Sequence, residues 1–184
     1  MADGTPRVDP ELRRWVAQRM VMDADLVCRA REDPNTYVEA CGRIEAGQWA
    51  GKQCGAHRMM QDHLTRASNQ PGASTALVLA PVGAAKSTQV TRWRVEWEVG
   101  KNVNLRVLLM SATSQLPESI LSGIKGDITD NPFVQAVFPH LRPGRKLGQS
   151  DWSSDRIHVN RSDNLADPTI QCAGLTSKIL GKRL

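Results

Sequence analysis

No stretch of the sequence approaches the roughly 20 consecutive apolar residues that a membrane-spanning helix requires. The first residues, MADGTPRVDPELRRW, also contain no apolar segment of the kind found in secretory signal peptides. Four cysteines in 184 residues are too few for the disulfide framework of a small secreted protein. These absences favour a cytoplasmic protein with no membrane partner.

The sequence is also poor in aromatic residues, and its acidic residues are outnumbered by basic ones. Aromatic side chains make up 4% of the chain, but hydrophobic residues make up 40%, which is enough for a packed core. The 19 acidic residues face 24 lysines and arginines, so the net charge is +5. This charge suits a polyanionic partner, but many solvated surfaces are equally basic, so the charge decides little by itself.

A phosphate-binding loop is partly present in residues 79–88, LAPVGAAKST. The usual template is Gly, four residues, Gly, Lys, and then Ser or Thr. Ala80 and Ala85 stand at the two template glycines, and only Gly83 remains inside the loop, although Lys86 and Ser87 are in place. The pattern alone therefore also fits an ordinary strand-to-helix turn followed by a surface lysine.

The segments on either side of this loop favour phosphate binding. The apolar run TALVLA (75–80) predicts a strand buried on both faces. STQVTRWRVEWEVG (87–100) predicts an amphipathic helix with Trp93 and Trp97 on its buried face and Glu96 pointing elsewhere. Between such elements, backbone N–H groups curl inward at a helix N-terminus, and we expect Gly83 to take a left-handed conformation. We expect Lys86 to meet the β- and γ-phosphates and Ser87 to supply a hydroxyl ligand to Mg²⁺.

The remaining segments predict an α/β protein with a helical lead-in. Asp9-Pro10-Glu11 predicts a helix start, and apolar residues continue at helical spacing as far as Ala30. Residues 36–55 predict short helical pieces and loops, and SNQPGAS (68–74) predicts a loop at a domain boundary. Further helices are predicted over 57–67, 117–128 and 132–138, and strands over 105–112, 156–161 and 169–175.

Three segments carry a resemblance to a known family. They are LAPVGAAKST, VLLMSATSQLPESILSGIKGDITDNPFVQAVFPHL (107–141), and WSSDRIHVNR followed by DPTIQCAGLTSKILGKRL. In this order they resemble the phosphate loop, the second strand with its Ser-Ala-Thr turn, and the paired later strands of the large terminase subunit of tailed bacteriophages. The resemblance implies the ATP-driven motor that translocates viral DNA and packages it into the capsid.

The resemblance also implies a fold and a set of binding residues. The fold would be an incomplete RecA-like P-loop ATPase core, a sheet flanked by helices over residues 69–184, preceded by a helical lead-in over 1–68. The ligands would be ATP and Mg²⁺, with the Ser87 hydroxyl on the metal. The nucleotide-binding residues would be Pro81, Val82, Gly83, Ala84, Ala85, Lys86, Ser87 and Thr88.

Four further residues are candidate contacts beyond the loop. His57 and Gln61 precede the loop, where such ATPases place adenine contacts, and an ordinary helix surface is the alternative. Ser111 and Thr113 follow the second predicted strand, where they would contact nucleotide or couple it to DNA, unless they only cap the next helix. The implied partners are double-stranded DNA, the portal protein, the small terminase subunit and other copies of the chain, in the host-cell cytoplasm if the gene belongs to a phage or prophage.

Two departures from the family pattern concern catalysis. Val82 stands where the family usually has an arginine that acts at the γ-phosphate, and valine supplies no charge to the transition state. The sequence ends at KILGKRL, before the acidic strand that holds Mg²⁺ and activates water in the family, and before its nuclease domain. Asp127 and Asp130 are instead expected to be solvated acids. The resemblance therefore predicts a truncated chain that binds ATP and does not hydrolyse it alone.

Two alternatives remain open. One is another P-loop NTPase such as a helicase, in which the Ser-Ala-Thr motif would normally follow the acidic strand, whereas here it precedes any such strand. The other is a non-enzymatic remnant with a decayed phosphate loop. Nucleotide binding separates this remnant from the motor.

Overall fold

The structure is a computed structural model that describes residues 8–48, 52–144, 152–163 and 167–175. Within these residues the chain forms seven α-helices, one π-helical segment and four short strands. It is therefore a mixed α/β protein, as the sequence predicts. None of the described helices combines the length and the apolar character needed to cross a membrane.

Four helices precede the loop, and aspartates begin three of them. The helices are α1 (Pro10–Val21), α2 (Ala24–Glu32), α3 (Pro34–Glu45) and α4 (Gly55–Ser68). The carboxylates of Asp9, Asp23 and Asp33 accept hydrogen bonds from amides in the first turns of α1, α2 and α3. These amides would otherwise be unpaired, so each aspartate fixes a helix start. The helices predicted at Asp9 and over 57–67 are confirmed.

Two predictions for this region need correction. The helix predicted to run as far as Ala30 is divided, because α1 ends at Val21 and Asp23 caps the next helix. The prediction of short pieces and loops over 36–55 is wrong in its first part, since α3 is one continuous helix. Tyr37 and Cys41, four residues apart on its buried face, supply the helical spacing that this prediction overlooked.

The helix predicted over 87–100 is present, but its first half has π-helical geometry. The π-helical segment is Ser87–Trp93, and α5 continues it as Arg94–Lys101. Trp93 and Trp97 are buried, and the Trp97 indole N–H donates a 3.0 Å hydrogen bond to a carbonyl of α2. The two tryptophans therefore anchor this helix in the core, as predicted.

Four short strands form one mixed sheet. They are β1 (Val107–Ser111), β2 (Trp152–Ser153), β3 (Arg156–Ile157) and β4 (Ile170–Gly174). The order across the sheet is β1-β4-β3-β2, with β1 parallel to β4 and β3 antiparallel to both of its neighbours. The strands predicted over 105–112 and 169–175 are confirmed at their centres, and that over 156–161 only as the short β3.

The buried strand predicted over residues 75–80 is wrong. This segment has no regular secondary structure and lies outside the sheet. No described residue makes a hydrogen bond to its backbone, and Leu77 and Leu79 are 73% and 84% exposed. A strand forms only where a neighbouring backbone pairs with it, and in the described part of the chain β1 pairs with β4 instead.

Two helices connect the halves of the sheet and complete the core. They are α6 (Gln115–Asp130) and α7 (Pro132–Val137), which confirm the helices predicted over 117–128 and 132–138. A single cluster of buried apolar residues joins the lead-in to the elements after the loop. Its members include Met20, Tyr37, Leu121, Phe133 and Ile170.

Candidate functional site

Residues 81–86 form a tight turn that leads into the π-helical segment. The Ala84 amide donates a hydrogen bond to the Pro81 carbonyl at 3.3 Å, which closes the turn. On either side of Ala84, Gly83 has a φ of 84° and Ala85 a φ of 51°, so both residues are left-handed. The prediction for Gly83 is confirmed, whereas Ala85 is unexpected because its Cβ atom makes this conformation costly. The turn is therefore strained at an alanine that occupies a template glycine position.

The amides at the end of the turn have no hydrogen-bond partner in the described part of the chain. They are the amides of Ala85, Lys86, Ser87 and Thr88. The first bonded amide is that of Gln89, which donates to the Ala85 carbonyl at 2.9 Å. Unpaired amides at the N-terminus of a helix, together with the helix dipole, favour the binding of an anion.

The side chains of Lys86 and Ser87 lie beside these amides and make few polar contacts. The Lys86 ammonium folds back over the turn and lies 3.4 Å from the Pro81 carbonyl oxygen. With the residues that the structure describes, Lys86 forms no ion pair and the Ser87 hydroxyl forms no hydrogen bond. A cation and a hydroxyl group are therefore accessible next to the unpaired amides.

Helix α4 supports the turn from one side. His57 Nε2 lies 3.0 Å from the Ala84 carbonyl oxygen, and because that oxygen only accepts, this ring nitrogen carries a proton. Gln61 is completely buried, and its side-chain amide donates a 2.9 Å hydrogen bond to the Gln89 carbonyl. His57 therefore borders the turn, whereas the Gln61 amide joins α4 to the π-helical segment.

An apolar cavity of about 560 Å³ opens between α4 and residues 77–81, next to the turn. Its lining includes His57, Met59, Met60, His63, Leu77 and Val78. Ligand sites typically combine apolar walls with a few polar groups, and here the turn supplies polar groups at one end of the cavity. The cavity therefore has room for a flat apolar group of a ligand that is held by the turn.

Ser111 and Thr113 are not joined to the turn by any hydrogen bond or ion pair within the described residues. Ser111 ends β1, and its carbonyl accepts a 3.0 Å hydrogen bond from the Leu175 amide. Thr113 lies between β1 and α6. Because residues 75–80 lie outside the sheet, strand pairing does not bring the turn to the end of β1.

Both arginines that follow the loop are held by carboxylates. Arg92 donates hydrogen bonds of 2.8 and 2.9 Å to the two oxygens of Asp127. Arg94 forms a 2.6 Å ion pair with Glu98. The prediction that Asp127 is solvated is therefore wrong, because α6 places its carboxylate against the π-helical segment. Neither guanidinium group is therefore free to supply positive charge at the turn, where Val82 supplies none.

A buried polar cluster that was not predicted from the sequence lies under the helix that follows the loop. Glu96, predicted to point away from the buried face, is completely buried and accepts a 3.1 Å hydrogen bond from the Tyr37 hydroxyl. Its Oε1 lies 3.8 Å from Arg92 Nε and makes no hydrogen bond with the described residues. Burial, and then the neighbouring Asp127 carboxylate, raise the pKa of Glu96 well above its ordinary value. The sequence does contain a signal for this burial: Glu96 lies three residues after Trp93, and residues three apart share a helical face.

Neither a metal-binding cluster among the described residues nor a match to a known protein helps to assign a function to the site. Among the described residues, no group of three or more His, Cys, Asp or Glu side chains is placed to hold a metal ion. Comparisons with protein-family models, with curated proteins and with solved structures found no match for this chain.

Proposed function

We propose that residues 81–88 bind the triphosphate of ATP, and that the chain is the ATP-binding portion of a DNA-packaging motor like the large terminase subunit. The observation that carries this proposal is the row of unpaired amides at residues 85–88 beside the Lys86 ammonium. Phosphate oxygens accept hydrogen bonds from such amides, and a lysine adds the positive charge that a phosphate chain attracts.

Each part of the site has a role in this proposal. The amides of residues 85–88 hold phosphate oxygens, and Lys86 lies against the β- and γ-phosphates. Ser87 has an unengaged hydroxyl, which fits it to be a ligand of the Mg²⁺ that arrives with ATP. Mg²⁺ keeps water and phosphate oxygens as its other ligands, so a single protein hydroxyl is compatible with its binding here. The apolar cavity receives the adenine, with His57 at its edge.

An incomplete RecA-like core is the proposed frame for this loop. The parallel pairing of β1 with β4, connected through α6, supports such a core because parallel strands require a crossover connection. Residues 75–80 are then the strand that precedes the phosphate loop, without its neighbours in the sheet. Double-stranded DNA, the portal protein, the small terminase subunit and other copies of the chain are the partners that a motor of this kind implies.

The same site favours binding without turnover. Val82 is 99% exposed and presents an apolar group where phosphoryl transfer needs positive charge. Arg92 and Arg94 are both occupied by carboxylates. We therefore expect the chain to bind ATP and to release phosphate no faster than the uncatalysed reaction.

A non-enzymatic remnant is the second candidate function. The strained Ala85 and the position of residues 75–80 outside the sheet favour it, because an intact phosphate loop normally follows a strand of the central sheet. In that case residues 81–88 would be an ordinary turn, and nucleotide would not bind.

Titration of a fluorescent ATP analogue in the presence of Mg²⁺ separates the two candidates. We expect the Lys86→Ala variant to bind at least about tenfold more weakly, since it loses charge-assisted hydrogen bonds to phosphate. Lys101→Ala is the matched control, because Lys101 lies at the other end of the same helical stretch and pairs with Glu32 at 2.7 Å. Equal signals from the unaltered chain and both variants, or no binding by any of them, support the remnant.

A further inference from the structure

Residues 76–80 read ALVLA, a sequence that is identical in both directions. They lie within residues 67–85, a stretch that contains no charged side chain, although the chain as a whole carries a net charge of +5. Two copies of a positively charged protein repel each other least where such an uncharged stretch meets its counterpart.

The backbone of this segment is available for pairing. No described residue makes a hydrogen bond to the backbone of residues 75–80, and an unpaired row of N–H and C=O groups is a template for another strand. Exposure alternates along the segment with a period of two, as in an extended chain. Leu77 and Leu79 are exposed, whereas Ala76, Val78 and Ala80 are half-buried. The segment therefore has one apolar face and unpaired edges in solvent.

We propose that a second copy of this chain occupies the segment, by antiparallel pairing of residues 76–80 with the same residues of the other copy. With Val78 opposite Val78 of the second copy, Ala76 lies opposite Ala80, and Leu77 lies opposite Leu79. Residues that lie directly opposite each other in an antiparallel pair share a face, so four leucines gather on the exposed face. The palindrome favours a second copy over an unrelated strand, because only a copy gives identical pairs in both halves.

The symmetry and the size of this contact define the expected dimer. Each copy contributes the same patch, so the interface is isologous and related by a two-fold axis. A pair of five-residue strands is small compared with the roughly 800 Å² per partner of a standard stable interface. We therefore expect a dimer that dissociates when it is diluted to about micromolar concentration.

Sedimentation velocity of the full chain over a concentration series tests the dimer. We expect the unaltered chain to shift from monomer to dimer, and Leu79→Lys to weaken dimerisation at least about tenfold by placing two like charges among the leucines. Met22→Lys is the matched control, since Met22 is 86% exposed at the end of α1 and outside the proposed contact. Thermal unfolding shows whether both variants are folded. Monomer at every concentration, open-ended polymer, or unchanged dimerisation of Leu79→Lys overturns the proposal.

Cysteine cross-linking tests the register. The two exposed cysteines, Cys28 and Cys54, are first replaced by serine. Val78→Cys in that chain should form a disulfide between copies on mild oxidation, because directly opposite Cα atoms lie about 4.5–5.5 Å apart. Leu77→Cys should form little disulfide, since residue 77 lies opposite Leu79 of the second copy and not opposite another cysteine. Equal cross-linking at both positions contradicts the pairing centred on Val78.

Discussion

The Tyr37 hydroxyl donates a 3.1 Å hydrogen bond to Glu96 Oε2, and neither side chain reaches solvent. This contact joins α3 of the lead-in to α5, which continues the helix that starts at the loop. Glu96 Oε1 has no hydrogen-bond partner among the described residues, and a buried carboxyl group in that situation is less costly when it is protonated. The packing of the lead-in against the loop helix therefore favours the protonated form of Glu96.

The first prediction concerns the pH dependence of stability. Glu96 keeps its proton in the native state above its ordinary pKa of 4.5, whereas the unfolded chain releases it. The native state then binds more protons, so the free energy of unfolding falls as pH rises, by up to about 1.4 kcal/mol per pH unit for this group. Urea unfolding between pH 5 and 7, about the range where the unfolded glutamate is ionised, should show this slope.

The Glu96→Gln variant isolates this contribution. Glutamine keeps the size of the side chain and has no proton to release, so the slope should flatten. Glu118→Gln on α6 is the control, since Glu118 is only partly buried and should leave the slope unchanged. Equal slopes for the unaltered chain and Glu96→Gln would show that Glu96 is ionised in the native state.

The second prediction concerns the strain in the turn. Ala85 has a φ of 51°, so Ala85→Gly should stabilise the chain by about 0.5–1 kcal/mol and raise its melting temperature by about 1–4 °C. Ala84→Gly is the matched control, because Ala84 does not have a positive φ and glycine there adds only unfolded-state entropy. Calorimetry of both variants should show opposite shifts, and shifts of the same sign would argue against strain at Ala85.

The third prediction compares two helical glycines. A Cβ atom at Gly100 would lie 2.5 Å from the ring of Phe138, which is buried and held in the core. Gly100→Ala should therefore destabilise the chain by about 1–3 kcal/mol. A Cβ atom at Gly126 in α6 meets nothing within 4 Å, so Gly126→Ala should stabilise by up to about 1 kcal/mol. Denaturant unfolding measures both, and similar effects of the two changes would contradict the packing around Gly100.

The fourth prediction separates two roles of Gln61. The buried Gln61 side chain donates a hydrogen bond to the Gln89 carbonyl, so Gln61→Ala should lower the free energy of unfolding by about 1–3 kcal/mol. If the Gln61 side chain only joins α4 to the π-helical segment, Gln61→Ala should weaken the binding of ATP and GTP analogues equally. A selective loss of the adenine nucleotide would instead support the predicted adenine contact. Gln70→Ala, at an exposed position after α4, should alter neither stability nor binding.

Local signals in the sequence predicted several features correctly. Asp9 and Pro10 mark the start of α1 because a capping carboxylate and a preset φ act within a few residues. Gly83 was expected to be left-handed because it alone in the loop lacks a Cβ atom, and its φ is 84°. The burial of Trp93 and Trp97 followed from their spacing on one helical face.

Features that depend on distant partners were not predictable in the same way. The run at residues 75–80 has the composition of a buried strand, but pairing requires a neighbouring backbone that the local sequence does not specify. Glu96 looked like a surface charge, yet it lies in the core because Tyr37, far away in the sequence, supplies a hydrogen bond there. The ion pair between Arg92 and Asp127 likewise depends on how α6 packs.

The direction in which the loop faces depends on how the π-helical segment behind it is wound. Residues Ser87–Trp93 are wound more widely than an α-helix, while α5 and Trp97 remain fixed in the core. Rewinding this segment by one residue into α-helical register would turn Lys86 and the preceding turn by about 100° around the helix axis. The direction in which the unpaired amides face is therefore tied to the π-helical winding of residues 87–93.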